Sequence, residues 1–120
     1  MSYGSEFWSA EALVDSGSPL SLFTRNVANG LRLPFSSALD HTTVEVLGEV
    51  HEVFKFPVTL ALDPPGDEMS WNTYGWFFRS HPEWSLPVSA ILGGEGFFDR
   101  WKVIFVLQKG YFTVESRLTD

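Results

Sequence analysis

Between residues 50 and 62 the chain keeps a period of two. Phe54, Phe56, Val58, Leu60 and Leu62 fall on one side, and Lys55, Pro57, Thr59 and Ala61 on the other. Such alternation is the pattern of a strand with one buried face, and at this length it commits the domain to a β-sheet. Pro57 lies on the opposite face and marks an edge strand or a bulge, because proline has no N–H for a central ladder. Residues 43–47 alternate too, with Gly48-Glu49 as the turn between the two arms. Residues 63–68, Asp-Pro-Pro-Gly-Asp-Glu, then read as a loop that cannot continue a sheet.

The flanking segments are shorter. Residues 7–14 read as the first strand, ending at Asp15, and Leu20-Ser21-Leu22-Phe23 is a second apolar run. Thr24 as N-cap and Gly30 as C′ glycine bound a helix of little more than one turn. Residues 31–39 are irregular around Pro34 and Ser36-Ser37. Residues 71–79 form an aromatic-dense strand, whose rings either fill a small core or line a side-chain pocket or self-association surface. Residues 86–92 are a buried strand ending at Gly93-Gly94, 95–101 a short helix, and 101–107 a strand. Gln108-Lys109-Gly110 then turns the chain into a last strand, 111–116. Many short strands with one or two short helices imply an all-β fold, a closed or nearly closed sheet spanning residues 1–120 as a single domain.

Composition narrows the function classes. With 120 residues, 44% of them hydrophobic, the chain suits one core rather than two. No apolar run approaches the roughly 20 residues that cross a bilayer, so no membrane span is expected. Met1-Ser2-Tyr3-Gly4-Ser5-Glu6 lacks the basic and apolar regions of a signal peptide, and a cytoplasmic location is the expectation. The absence of cysteine excludes disulfides and thiolate metal sites. A net charge of −7, with the eight Lys and Arg scattered, repels phosphate backbones, so nucleic acid is not an expected partner.

The stretch richest in chemistry is Ala12-Leu13-Val14-Asp15-Ser16-Gly17-Ser18, where an apolar run delivers one carboxylate into a Ser-Gly turn. Gly17 permits a tight turn that a Cβ would obstruct. The hydroxyls of Ser16 and Ser18 lock it through neighbouring backbone. Asp15, at the end of a hydrophobic strand, is partly desolvated. Other chemistries find no comparable pattern. His41, His51 and His81 lack metal-ligand spacing and no His-Glu-x-x-His occurs, so no metal or cofactor is expected. Ser16 and Ser18 are not in a Gly-x-Ser-x-Gly elbow. Gly93-Gly94-Glu95-Gly96 has neither P-loop nor dinucleotide spacing, and Glu95 opposes an anion.

Together with Ala90-Ile91-Leu92-Gly93, the heptad resembles the retropepsin-like family of aspartic proteases. It matches that family's apolar-apolar-Asp-Thr/Ser-Gly-Ala/Ser signature, and Ala90 to Gly93 match the apolar-apolar-Gly stretch that crosses beneath the active-site loop. Residues 96–105 are similar to the helix and final strands of bacterial single-domain members. The resemblance implies a small closed β-barrel of the acid-protease type, with Asp15 catalytic. It gives Ser16 and Ser18 to loop support, Gly17 to the paired carboxylate, Gly93 to close packing under the loop, and a flap within residues 43–53 with Gly48 at its tip. Hydrolysis by this route needs two carboxyls sharing a proton and a water. The chain has one Asp-Ser-Gly, while Asp40, Asp63 and Asp99 lie in other contexts, so the resemblance implies a homodimer acting on a peptide or protein substrate. The acidic residue and Arg that tie the loop in retroviral members are replaced by Pro19-Leu20 and Gly94, and residues 49–52 are less glycine-rich than a retroviral flap. The alternative is a catalytically inert retropepsin-like module that dimerises or binds peptide.

Overall fold

A computed structural model describes residues 1–46, 48–62, 69–80, 88–109 and 111–116. In chain order these form β1 (Ser2–Tyr3), β2 (Glu6–Phe7), β3 (Ala12–Val14), β4 (Leu22–Phe23), α1 (Arg25–Gly30), β5 (Asp40–Val46), β6 (Glu49–Leu62), β7 (Met69–Phe78), β8 (Ala90–Leu92), β9 (Trp101–Val106) and β10 (Tyr111–Ser116). Short 3₁₀ turns cover Phe35–Ser37 and Leu107–Lys109. The described residues are mostly β with one α-helix among them, and the main sheet curls into a half-barrel.

The alternating arm is the spine of that sheet. β6 pairs with β7 from Val53↔Phe78 to Leu62↔Met69, and with β5 from Asp40↔Lys55 to Val46↔Glu49. Phe54, Phe56, Val58 and Leu60 are buried on its inner face. On the edge away from β7, β5 stops at Lys55 and β1 begins its pairing at Thr59. Pro57 occupies the gap, where no strand needs its missing donor.

The strand order is β2-β1-β6-β7-β4-β8-β3, with β9 and β10 as a separate hairpin. Registered partners share a face, so the pairings divide the sheet cleanly. One face carries Phe23, Phe54, Phe56, Phe77, Ala90 and Leu92, closed over by Val27, Ala28 and Leu31 of the α1 region and by Phe97. Phe23 stacks on Phe77 at 5.0 Å between centroids, and Trp71 meets Trp101 edge-on at 5.3 Å. Each fully buried Phe contributes about 1.5–3 kcal/mol of transfer free energy. The other face carries a smaller cluster of Leu22, Val53, Trp76 and Phe78. Trp71, Trp76, Phe77 and Phe78 are thus core residues, whereas Tyr74 is exposed.

Three local expectations are corrected. Residues 7–14 do not form one strand, because Gly4, at φ +58°, turns β1 into β2 and spends Phe7 on a pair with Ser2. The expected helix 95–101 is absent: Glu95 bridges to Leu20, residues 96–100 are successive turns, and Trp101 opens β9. Gly96 sits at φ +103°, and the Phe98 and Asp99 amides reach back to the Gly93 and Gly94 carbonyls at 3.0 and 2.8 Å. Gly30 is the last helical residue, and Leu31 takes the C-cap position. A Cβ at Gly30 would stand 2.3 Å from the Trp8 indole, so this glycine serves packing. Thr24 does hold the N-cap backbone position, without a capping hydrogen bond from its side chain.

The expected loop 63–68, residues 86 and 87 of the expected strand 86–92, Leu47, His81 and Gly110 lie outside the described residues, and of the rest of that strand only Ala90–Leu92 is β. Among the described residues, no helix is long and apolar enough to cross a membrane.

Candidate functional site

The geometry around Asp15 follows from one insertion. β3 and β4 are close in sequence, yet β8 lies between them, parallel to β3 (Val14↔Leu92) and antiparallel to β4 (Leu22↔Ile91). The two flanking strands are therefore about 10 Å apart, twice the spacing of neighbours. Residues 15–21 must arch over the end of β8, where Gly93 lies buried beneath them. A Cβ on Gly93 would stand 2.2 Å from the Leu20 carbonyl oxygen and 2.5 Å from that of Ser18. Only glycine lets the arch sit this low.

Backbone hydrogen bonds fasten the arch to the strand end. The Asp15 amide donates to the Leu92 carbonyl at 2.9 Å, continuing the ladder past β3. Gly94 and Glu95 amides donate to the Ser18 and Pro19 carbonyls, both at 2.8 Å, and the Ser21 amide returns to the Glu95 carbonyl at 3.0 Å. Within the turn, the Gly17 amide donates to Asp15 Oδ1 at 2.9 Å, and Ser18 Oγ donates to the Leu20 carbonyl at 2.6 Å. A Cβ on Gly17 would press on Asp15 Oδ1 at 3.2 Å. Ser16 is exposed, and its hydroxyl has no partner among the described residues.

A hydroxyl that sequence reasoning passed over completes the support. Ser21 is fully buried, and its Oγ accepts the Gly93 amide at 3.0 Å. Its signal is a single polar residue inside the apolar run 20–23. Ser21→Ala leaves the buried Gly93 N–H unsatisfied, and chemical denaturation is expected to show a loss of about 1–3 kcal/mol.

On the Leu13 side of the arch the sheet face is apolar as far as Lys55 on β6. Leu13, Ile91, Leu22 and Trp76 lie side by side across four neighbouring strands. Alternation carries Asp15, two positions beyond Leu13, to the same side. Leu20 of the arch, Ile91, and Val44 and Val46 of the β5–β6 hairpin pack around the buried Leu22, Val53, Trp76 and Phe78 of this face. Gly48, at the turn of that hairpin, is exposed at φ +81°, with nothing within 4 Å of where a Cβ would be. His51 lies on the hairpin with its ring edge-on to Phe78 at 5.7 Å and its Nε2 3.6 Å from Glu49. Asp40 and Asp99 are both bound locally, Asp40 to the His41 amide and Asp99 to the Gly96 amide. Among the described residues, no group of three His, Asp or Glu is arranged to hold a metal.

Neither a family model, a curated protein nor a solved structure matches the chain.

Proposed function

We propose that the chain is a retropepsin-like aspartic endopeptidase, with its sheet completed to the acid-protease barrel, that works as a homodimer. The observation that carries this reading is the arch. A half-buried carboxylate sits on a loop pinned from below by a strand end, so Asp15 has a fixed direction and an open side. One carboxylate is insufficient for the chemistry. Asp15 of each copy would face its equivalent across a two-fold axis, the pair holding one proton and one water.

In the reaction, the ionised carboxyl takes a proton from the water as its oxygen bonds to the scissile carbonyl carbon. The protonated carboxyl donates to the carbonyl oxygen. Collapse of the tetrahedral intermediate breaks the C–N bond, the proton gained from water passes to the leaving nitrogen, and a hydroxyl proton of the intermediate returns to the other carboxylate, restoring the pair. Gly17 steadies one Asp15 oxygen, while Ser16 would reach the partner's loop. The hairpin carrying Gly48 is the candidate flap, and the row Leu13, Ile91, Leu22 favours apolar side chains beside the scissile bond.

Self-association has its own support. Phe7 (69% exposed), Trp8 (41%), Leu13 (40%) and Phe112 (41%) leave apolar area open, and Phe7, Leu13 and Phe112 share the lining of one cavity beside β3. That area alone would also serve the alternative, an inert dimerisation or peptide-binding module.

Sedimentation combined with a peptide library at mildly acid pH, with and without a statine-type inhibitor, tests the proposal. A dimer with inhibitor-sensitive cleavage is the expected result. A chain that stays monomeric while cleaving, or a dimer that cleaves nothing, overturns it.

A further inference from the structure

Glu95 belongs to the strand-end segment beneath the arch, and its side chain reaches Trp76 and Lys55 on the sheet face that also carries Leu22. Its backbone holds the arch through Pro19 and Ser21, at 2.8 and 3.0 Å. One carboxylate oxygen accepts Trp76 Nε1–H at 2.6 Å, and the other lies 3.6 Å from Lys55 Nζ. Lys55 is itself held over the Tyr74 ring, 4.6 Å from its centroid, and 5.6 Å from that of Trp76. Both charged side chains are largely shielded, Lys55 at 22% and Glu95 at 34% exposure. Trp76 closes the circuit, since its own amide donates to the Ser21 carbonyl at 3.0 Å.

These contacts join three parts of the molecule that no local sequence relation connects. Lys55 lies where β5 begins its pairing with β6, opposite Asp40, at the base of the hairpin. Trp76 stands between Lys55 and Leu22 in the same cross-strand row. Glu95 touches both of them and the arch. Charge-assisted hydrogen bonds in a shielded setting are short and directional, which suits a joint that must not drift.

We propose that Glu95 is a positioning residue, which locks the Asp15 arch to the base of the β5–β6 hairpin through Trp76 and Lys55. The joint sets the height and tilt of the arch, and hence the direction of the Asp15 carboxylate, relative to the β5–β6 hairpin. Glu95 does not reach the reacting atoms. The kinetic consequence rests on the peptidase reading; the mechanical one does not.

The experiment compares Glu95→Ala, Glu95→Gln and Lys55→Met in the full chain. Amide exchange at Ser21 and Gly94 is expected to accelerate at least about tenfold in Glu95→Ala, with the centre of the β6–β7 ladder unchanged. Glu95→Gln, which keeps an acceptor for the Trp76 indole but loses the ion pair, and Lys55→Met should fall between it and wild type. If the chain cleaves peptide, kcat should drop about tenfold or more in Glu95→Ala with KM within about twofold, because misplaced groups slow chemistry more than binding. Should Glu95→Ala fail to fold, the other two variants carry the same comparison. Wild-type exchange at the arch in Glu95→Gln and Lys55→Met overturns the joint. A wild-type chain that cleaves nothing overturns only the peptidase reading, and the exchange data then stand by themselves.

Discussion

Asp15→Asn is expected to abolish peptide cleavage while leaving the fold intact. Asn is nearly isosteric, and its side-chain oxygen still accepts the Gly17 amide that now meets Asp15 Oδ1 at 2.9 Å. The melting temperature should therefore stay within a few degrees of wild type. The amide cannot take a proton from water at any working pH, so the rate should fall by a factor of about 10²–10⁴ or more. A shared site adds a second, sharper signature. When wild-type and Asp15→Asn subunits exchange freely, activity should follow the square of the wild-type fraction, leaving about a quarter at an equal mixture. A linear decline would mean that each subunit carries a complete site. Full activity in the homogeneous variant would remove Asp15 from the chemistry altogether.

The second large effect is structural. Gly93→Ala is expected to cost about 3 kcal/mol or more, lowering the melting temperature by roughly 10 °C. The new methyl would meet two carbonyl oxygens of the arch, at 2.2 and 2.5 Å, and neither is the flexible end of a side chain. The arch must lift, stretching the Gly94 and Glu95 hydrogen bonds to Ser18 and Pro19. Gly48→Ala is the matched control. Its Cβ meets nothing within 4 Å, so only the positive φ is penalised, at about 1–2 kcal/mol. Differential scanning calorimetry on the two variants separates close packing from backbone conformation. Similar losses for both would show that the arch does not rest on Gly93 as described.

The parts of this fold that are legible in the chain share one property: their signal is local. β6 follows from side chains that alternate between a buried and a less buried face, β7 from its density of aromatic residues, and β9, β10 and the short helix from turn and cap residues. Asp15, Gly17 and Gly93 stand out because a carboxylate in a Ser-Gly turn and a glycine closing an apolar strand are unusual in their immediate settings. Where local signals mislead, a glycine has a task its neighbours do not reveal. Gly96 reads as an ordinary residue near a helix start but adopts φ +103°, which no α-helix admits. Gly30 reads as a helix stop but makes room for Trp8.

Ser21, Lys55, Trp76 and Glu95 are out of reach for a different reason. Each has an unremarkable neighbourhood in the chain, and each acquires its role from partners far along it: Ser21 from Gly93, Trp76 and Lys55 from Glu95. In the linear chain Glu95 stands only as a charge beside three glycines. By itself, the order of residues determines strand periods, the turn glycines and the presence of one distinctive acid. Which strand lies between which others is decided by tertiary structure, because burying β8 between β3 and β4 satisfies both edges at once and thereby forces the arch. The surroundings of Asp15 are a product of that insertion, and no run of neighbouring residues encodes it.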